Sequence, residues 1–340
     1  MTVNGSLDSH AAVPPIPVVF DTDIGTNVDD ALALALALAS PEIRLDGVTV
    51  VNGDAAVLQT RARIAARLLG LAGRSDVPVF LGHPQRLSES SYYTHLGDEG
   101  EGLLDVPFDG RDATIDDTPA VDWLTLHARE ERFHLVATGP FTNVAVALQR
   151  DPSLAQRLAR LSVMGGMVHP ENFSPWWQQW LRSGNRGESL DYNTACDPAA
   201  ALCIARSGVD ITWVTIEVTL RAGMTTAALD SLREAHSPFC DALHRLISLW
   251  SQRHYRHREH GLPDAVANYH DPLAMATVVG APGLTLRREP LRYAIEDGLF
   301  RARPGDGHKA TVAVDVDPAT FEAAWLQRVV GRFGRVAGDA

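Results

Sequence analysis

The chain has 340 residues, 45% hydrophobic and 21% charged, which are ordinary proportions for a globular protein, and its length suffices to bury roughly three quarters of the unfolded surface. A formal net charge of -12 argues against a nucleic-acid partner, whose phosphates need basic stripes, and leaves a small neutral or cationic ligand or a metal ion as the better fit. Cys196, Cys203 and Cys240 form no CxxC pair, so neither a disulfide framework nor a structural zinc site is indicated, and no wholly apolar run is long enough to span a membrane.

Residues 1–15 are polar and Pro-rich without the apolar core of a signal sequence, and read as a disordered leader to a single domain over residues 16–335. A cytoplasmic location is expected. From Val18 an apolar strand runs into Asp21, Asp23 and Gly25, and the chain resumes at Asp29 and Asp30 as a helix start. One Asp-Asp pair would be an ordinary cap, but Asp21 and Asp23 stand at a strand end, where no cap is needed. Four carboxylates within ten residues repel one another unless a cation lies between them, and a hard divalent metal suits oxygen ligands.

Residues 31–39 alternate Ala and Leu with a period of two, a strand pattern, yet both residues favour helix, Asp29-Asp30 supplies a start and Ser40-Pro41 a stop. A helix buried on most sides is expected there. Strands follow over 44–51 and 77–81, separated by a helix over 56–71, and residues 83–119 form a long loop. Its acidic stretch, Asp98 to Gly102, reads equally as a solvated turn or as part of a site.

Helix 121–129, strand 133–137, helix 142–149 and strand 161–164 continue the alternation, which predicts an α/β fold: an open, mostly parallel central sheet with helices on both faces. Trp176, Trp177 and Trp180 lie in a second long irregular segment, where they either pack into the core or offer a platform for a flat heterocycle. Residues 209–218 read as a strand. His254, His257 and His260 recur at three-residue spacing among arginines and are assigned to a solvated face rather than to a metal. His270-Asp271-Pro272 opens a helix like Asp151-Pro152, Asp197-Pro198 and Asp317-Pro318, so Asp271 by itself reads as a cap. Late strands or hairpins fill 284–316, before a closing helix over 319–330.

Together these residues resemble the inosine-uridine-preferring nucleoside hydrolase family, metal-dependent enzymes that cleave the N-glycosidic bond of ribonucleosides. The family's DxDxGxDDAxAL pattern matches Asp21 to Leu34 if two residues are inserted between Gly25 and Asp29, which brings Asn27 close to the metal. Ala137 to Ala145, Met164-Gly165-Gly166, Asp191-Tyr192-Asn193 with Asp197-Pro198, and His270-Asp271-Pro272 follow in the family's order. The resemblance implies a homodimer or homotetramer that binds Ca²⁺ through Asp23, Asp30, Asp271 and the main-chain carbonyl of Thr138.

By the same resemblance Asp23 would be the general base and His270 the acid that protonates the departing base, with Asp21 bracing the loop. Asp29, Asn193 and Asp54 would hold the ribose hydroxyls, and Asp191 and Asn185 would reach the 5′-hydroxyl; Trp176 and Trp177, read from their own segment and not from the resemblance, are the residues expected to offer the base a platform. Asp54 stands where the best-known members have Asn, and Asp191 where they have Glu. Two other readings compete. A haloacid-dehalogenase-type phosphatase begins with a similar strand and DxDGT, but Ile24 interrupts that motif and the only lysine is Lys309. A ribosyl-ligand binding protein on the same scaffold would bind without turnover.

Overall fold

The computed structural model describes residues 14–92, 96–187, 190–255 and 262–335. The expected leader therefore lies almost wholly outside the described residues, as do His257 and His260. The described residues form twelve strands: β1 Ile16–Thr22, β2 Ile43–Val50, β3 Val79–Leu81, β4 Ile115–Asp116, β5 His134–Ala137, β6 Arg160–Met164, β7 Ile211–Val214, β8 Gly223–Thr225, β9 Ala265–Asn268, β10 Leu284–Glu296, β11 Leu299–Pro304 and β12 His308–Val316. Ten of them form one sheet in the order β11-β10-β12-β7-β6-β5-β1-β2-β3-β4, and β8 pairs with β9 separately.

Within the ten-stranded sheet every pairing from β12 through β7 to β4 is parallel, and β10 runs antiparallel to its neighbours β11 and β12; β8 and β9 are antiparallel to each other. The chain winds outward from β1 in one direction through β2, β3 and β4, then returns to β5 and winds the other way. The strand order thus reverses between β1 and β5, and the crevice past their carboxyl ends is where open α/β sheets bind ligands. Asp21 sits at that junction, opposite Thr49 of β2 and Ala137 of β5.

Period-two side-chain alternation splits the core between the two faces of the sheet. Val18 and Phe20 point into one apolar cluster and Val19 into the other. Helix Asp29–Ala39 lies on the first face with all eleven residues buried, which is why its sequence has no polar side. Each of its leucines contributes about 1.5–3 kcal/mol by leaving water. Trp325, on helix Pro318–Phe333, closes this layer by donating its Nε1–H to the main-chain oxygen of Leu32 at 3.1 Å.

The strand expected over 209–218 stops at Val214. Thr215 turns, and Ile216–Thr219 forms a helical turn. Tertiary contacts override the β-branched propensity there: the Ile216 N–H donates to the Gly166 oxygen at 3.0 Å, while the buried Glu217 carboxylate accepts from the N–H groups of Val168 and His169. Antiparallel strands do fill 284–316 as expected.

Candidate active site

Asp29 and Asp30 stand in the first turn of helix Asp29–Ala39, and neither caps it. Val28 holds the N-cap position without a side-chain bond, and Asn27 Oδ1 accepts from the Val28 N–H at 2.7 Å. Asp271 occupies the first turn of helix His270–Val279, again without capping, whereas Asp197 and Asp317 do cap their helices. Reading Asp271 as another cap is therefore incorrect. Its carboxylate meets those of Asp29 and Asp30, with one oxygen from each within 4.8 Å of the others. Two helix N-termini thus converge on one point, where their dipoles favour negative charge.

The approach to this point is crowded. Gly25 has φ +114° and a Cβ there would lie 2.7 Å from Ile64 Cδ1, so only glycine fits the turn after Asp23. A Cβ on Gly139 would come within 3.0 Å of the Asp23 backbone nitrogen. Thr22 Oγ1 donates to Asp30 Oδ1, as does Thr138 Oγ1 at 2.9 Å. Asp23 Oδ2 accepts from Asn52 Nδ2 at 3.0 Å, and Asp29 Oδ1 is buried without a hydrogen-bond partner. Asp21 Oδ1 accepts from Thr49 Oγ1 at 2.6 Å and Asn143 Nδ2 at 2.7 Å, beneath the cluster.

Burial pushes all five carboxyls above their ordinary range. Asp21 and Asp30 rise to about 7, Asp29 and Asp271 rise well above the usual value, and Asp23 rises too. Mutual repulsion adds to burial at Asp29, Asp30 and Asp271, while the Arg61 guanidinium opposes it at Asp23 and Asp30. An orphaned buried carboxylate oxygen beside two more carboxylates fits a divalent cation with oxygen ligands.

A cleft of about 290 Å³ opens onto the cluster, lined by Asp23, Asp29, Asp30, Thr138, Asn193, His270 and Asp271 among others. Asn193 Nδ2 donates to the main-chain oxygen of Thr138, and His270 Nδ1 lies 2.7 Å from Thr219 Oγ1. Leu96, Leu190, Ile216 and Trp250 supply an apolar wall. His254 lines the same cleft, with Nε2 2.9 Å from Asp98 Oδ2, so it does not stand on a solvated face. The Asp98 turn is therefore tied to the cleft rim.

Five of the expected site residues are placed elsewhere. Asp54 is exposed and caps helix Ala55–Leu71 by accepting from the N–H groups of Ala56 and Val57, and the buried Asn52 reaches the cleft side instead. Asp191 is buried but turned to the Gly166 N–H at 2.5 Å and to Thr194. Asn185 is exposed and donates to the Trp180 oxygen. Trp177 packs in the core beside Phe173, and Trp176 stacks edge-on against it at the surface. The tryptophan that lines the cleft is Trp250. Asn52 was legible as a residue that tolerates its φ of +69° in a polar cluster past a strand; Trp250, near the end of helix Pro238–Arg253, had no local signal, and the spacing that marks His254 does not show that it faces the cleft.

The fold and this cleft define an α/β enzyme with a buried carboxylate cluster able to hold a metal at the sheet's switch point. The chain belongs to the inosine-uridine preferring nucleoside hydrolase family, whose model matches residues 18–323. It is a nucleoside hydrolase, an enzyme that hydrolyses the N-glycosidic bond of ribonucleosides. Among its relatives is the pyrimidine-specific ribonucleoside hydrolase RihA of Salmonella arizonae, 30% identical over 92% of this chain and 98% of the relative. The protein of the same name from an Enterobacter species is 32% identical over 77% of this chain and 78% of its own length. A solved plant nucleoside hydrolase, PpNRh1, superposes with a TM-score of 0.74 at 27% identity, covering 93% of this chain and 99% of the other. The purine-preferring ribonucleoside hydrolase from Gardnerella vaginalis gives a TM-score of 0.75 at 24% identity over 93% and 98%, which speaks to fold alone.

Proposed function

We propose that residues 16–335 form one catalytic unit that hydrolyses ribonucleosides to ribose and free base with the help of one Ca²⁺. Asp29, Asp30 and Asp271 would hold the ion, together with Asp23 and the Thr138 carbonyl, whose oxygen accepts from Asn193 and keeps a second lone pair. When bound, Ca²⁺ supplies a fixed positive charge around which these carboxylates and the ribose diol gather. The observation that carries this reading is the meeting of Asp29, Asp30 and Asp271 in a cleft that also holds Asn193 and His270.

Asp23, steadied by Asn52, takes a proton from the attacking water as the bond from C1′ to the base nitrogen breaks. His270, oriented by Thr219, gives a proton to the departing base from its Nε2. Positive charge that develops on the sugar ring is stabilised by the surrounding carboxylates. Asn193 and Asp29 hold the 2′- and 3′-hydroxyls, and Trp250 offers its face to the base.

Uridine and cytidine are the first substrates to assay, because the relatives at 30% identity and above are named pyrimidine-specific. The reading assumes a homodimer or homotetramer in the cytoplasm, in keeping with three free cysteines and with no described helix long and apolar enough to cross a membrane. Ribose release from uridine, cytidine and inosine would be followed with Ca²⁺, after chelation, and on adding Ca²⁺ back. Turnover should vanish on chelation and return with Ca²⁺. Undiminished turnover in chelator would remove the metal, and binding without ribose release would leave a ribosyl-binding protein.

A further inference from the structure

Arg61 lies on helix Ala55–Leu71 and is wholly buried. A guanidinium removed from water is costly unless its N–H groups are met. Here none of the bonds it makes among the described residues goes to a carboxylate. Its Nε donates to the Asn52 main-chain oxygen at 3.0 Å, Nη1 to the main-chain oxygens of Asp23 and Ile24, and Nη2 to Thr26 Oγ1 at 2.8 Å. Three of these four acceptors belong to the stretch between β1 and the aspartate pair of the next helix.

The fourth acceptor sits on the residue whose side chain bonds Asp23. One rigid fork therefore fixes both halves of the pair Asn52 Nδ2 to Asp23 Oδ2, and at Thr26 it also pins the two-residue insertion. A lysine would keep the charge but could not span these directions, because its donors radiate from a single atom.

We infer that Arg61 is a positioning residue for the metal loop: its fork holds Asp23 to Thr26 in the cation-ready conformation before any cation arrives. The inference rests on the Ca²⁺ reading above. Two effects of Arg61 oppose each other, which makes them separable. Its charge alone repels Ca²⁺, so deleting that charge would tighten binding. Its order favours binding, and each residue left for the ion to order weakens affinity by about tenfold.

The test is calorimetric titration with Ca²⁺ alone of the unaltered protein, Arg61→Lys, Arg61→Met and Thr26→Val, with thermal melts recorded without Ca²⁺. Positioning requires Arg61→Lys to bind Ca²⁺ about tenfold or more weakly although its charge is kept, and Thr26→Val to show a smaller loss. The kcat of Arg61→Lys should recover at saturating Ca²⁺, which a merely misfolded variant would not do. If Arg61→Met fails to fold, Arg61→Lys and Thr26→Val carry the test. Unchanged or tighter binding in Arg61→Lys, which keeps the charge, would overturn positioning while leaving the metal in place; Arg61→Met, which loses charge and fork together, should bind more tightly than Arg61→Lys. No Ca²⁺ uptake by the unaltered protein would overturn the metal reading and this inference with it.

Discussion

Asn193 Nδ2 lies 2.6 Å from the main-chain oxygen of Thr138 and 3.1 Å from that of Met164, so one amide ties the end of β5 to the end of β6. Asn193→Ala removes the donor from two buried carbonyls, at a cost of about 1–3 kcal/mol each if water does not replace it. A lower urea midpoint and a lower kcat/KM are expected together. An unchanged midpoint would show that the amide serves substrate only. Asn193→Asp should be worse than Asn193→Ala, because it adds a carboxylate beside the cluster.

His270→Ala should lower turnover of ordinary nucleosides by about 10²–10⁴, the span of proton-transfer catalysis. A p-nitrophenyl riboside, whose leaving group needs no proton, should be nearly spared. Thr219→Val, which removes the partner of His270 Nδ1, should show a weaker version of the same split. Equal losses on both substrates would move the acid to another residue, with His254 the next to test.

A ribose site built from Asp29 and Asn193 should reject 2′-deoxynucleosides. Sites made to bond a hydroxyl discriminate against its absence by roughly 10⁴–10⁵, because the buried polar groups lose their partner. The glycosidic bond of the deoxy compound is intrinsically the weaker, so any preference for ribose comes from the protein. Comparable kcat/KM for uridine and 2′-deoxyuridine would sink the assignment.

Stability should fall in acid partly through His134. This residue is buried on β5 with Nε2 2.8 Å from Ser162 Oγ, and burial, then the nearby Arg160, push its pKa down to about 3. An unfolded histidine titrates near 6.5. Below that pH the unfolded chain binds a proton that the folded chain refuses, so the folded state loses about 1.4 kcal/mol per pH unit from pH 6.5 down toward 3. Urea midpoints of His134→Gln should decline less steeply than the parent between pH 6 and pH 4. Parallel slopes would show that His134 does not titrate on unfolding.

The sheet and the acidic loop were legible because each rests on local chemistry. Strand, loop and helix alternate with clear stops, and the helix propensity of Ala and Leu after Asp29-Asp30 outweighs their period-two pattern. What stayed hidden depends on contacts distant in sequence. Asp54 and Asn52 are two residues apart, and only the path of helix Ala55–Leu71 decides that one caps it while the other faces Asp23. Asp191 sits beside Asn193, yet the positive φ of Gly165 and Gly166 presents an amide that captures its carboxylate. The tryptophans misled for the opposite reason: Trp177 matches Phe173 within its own segment, whereas Trp250 reaches the cleft from another helix.

The bond from Trp325 to Leu32 joins positions 293 apart, and it seals the layer that carries Asp29 and Asp30. A ribosome releases the acidic loop and its apolar helix early and Trp325 late. Throughout that interval helix Asp29–Ala39, apolar on every side, lacks its permanent cover. Apolar surface left uncovered in that interval is open to chaperone capture.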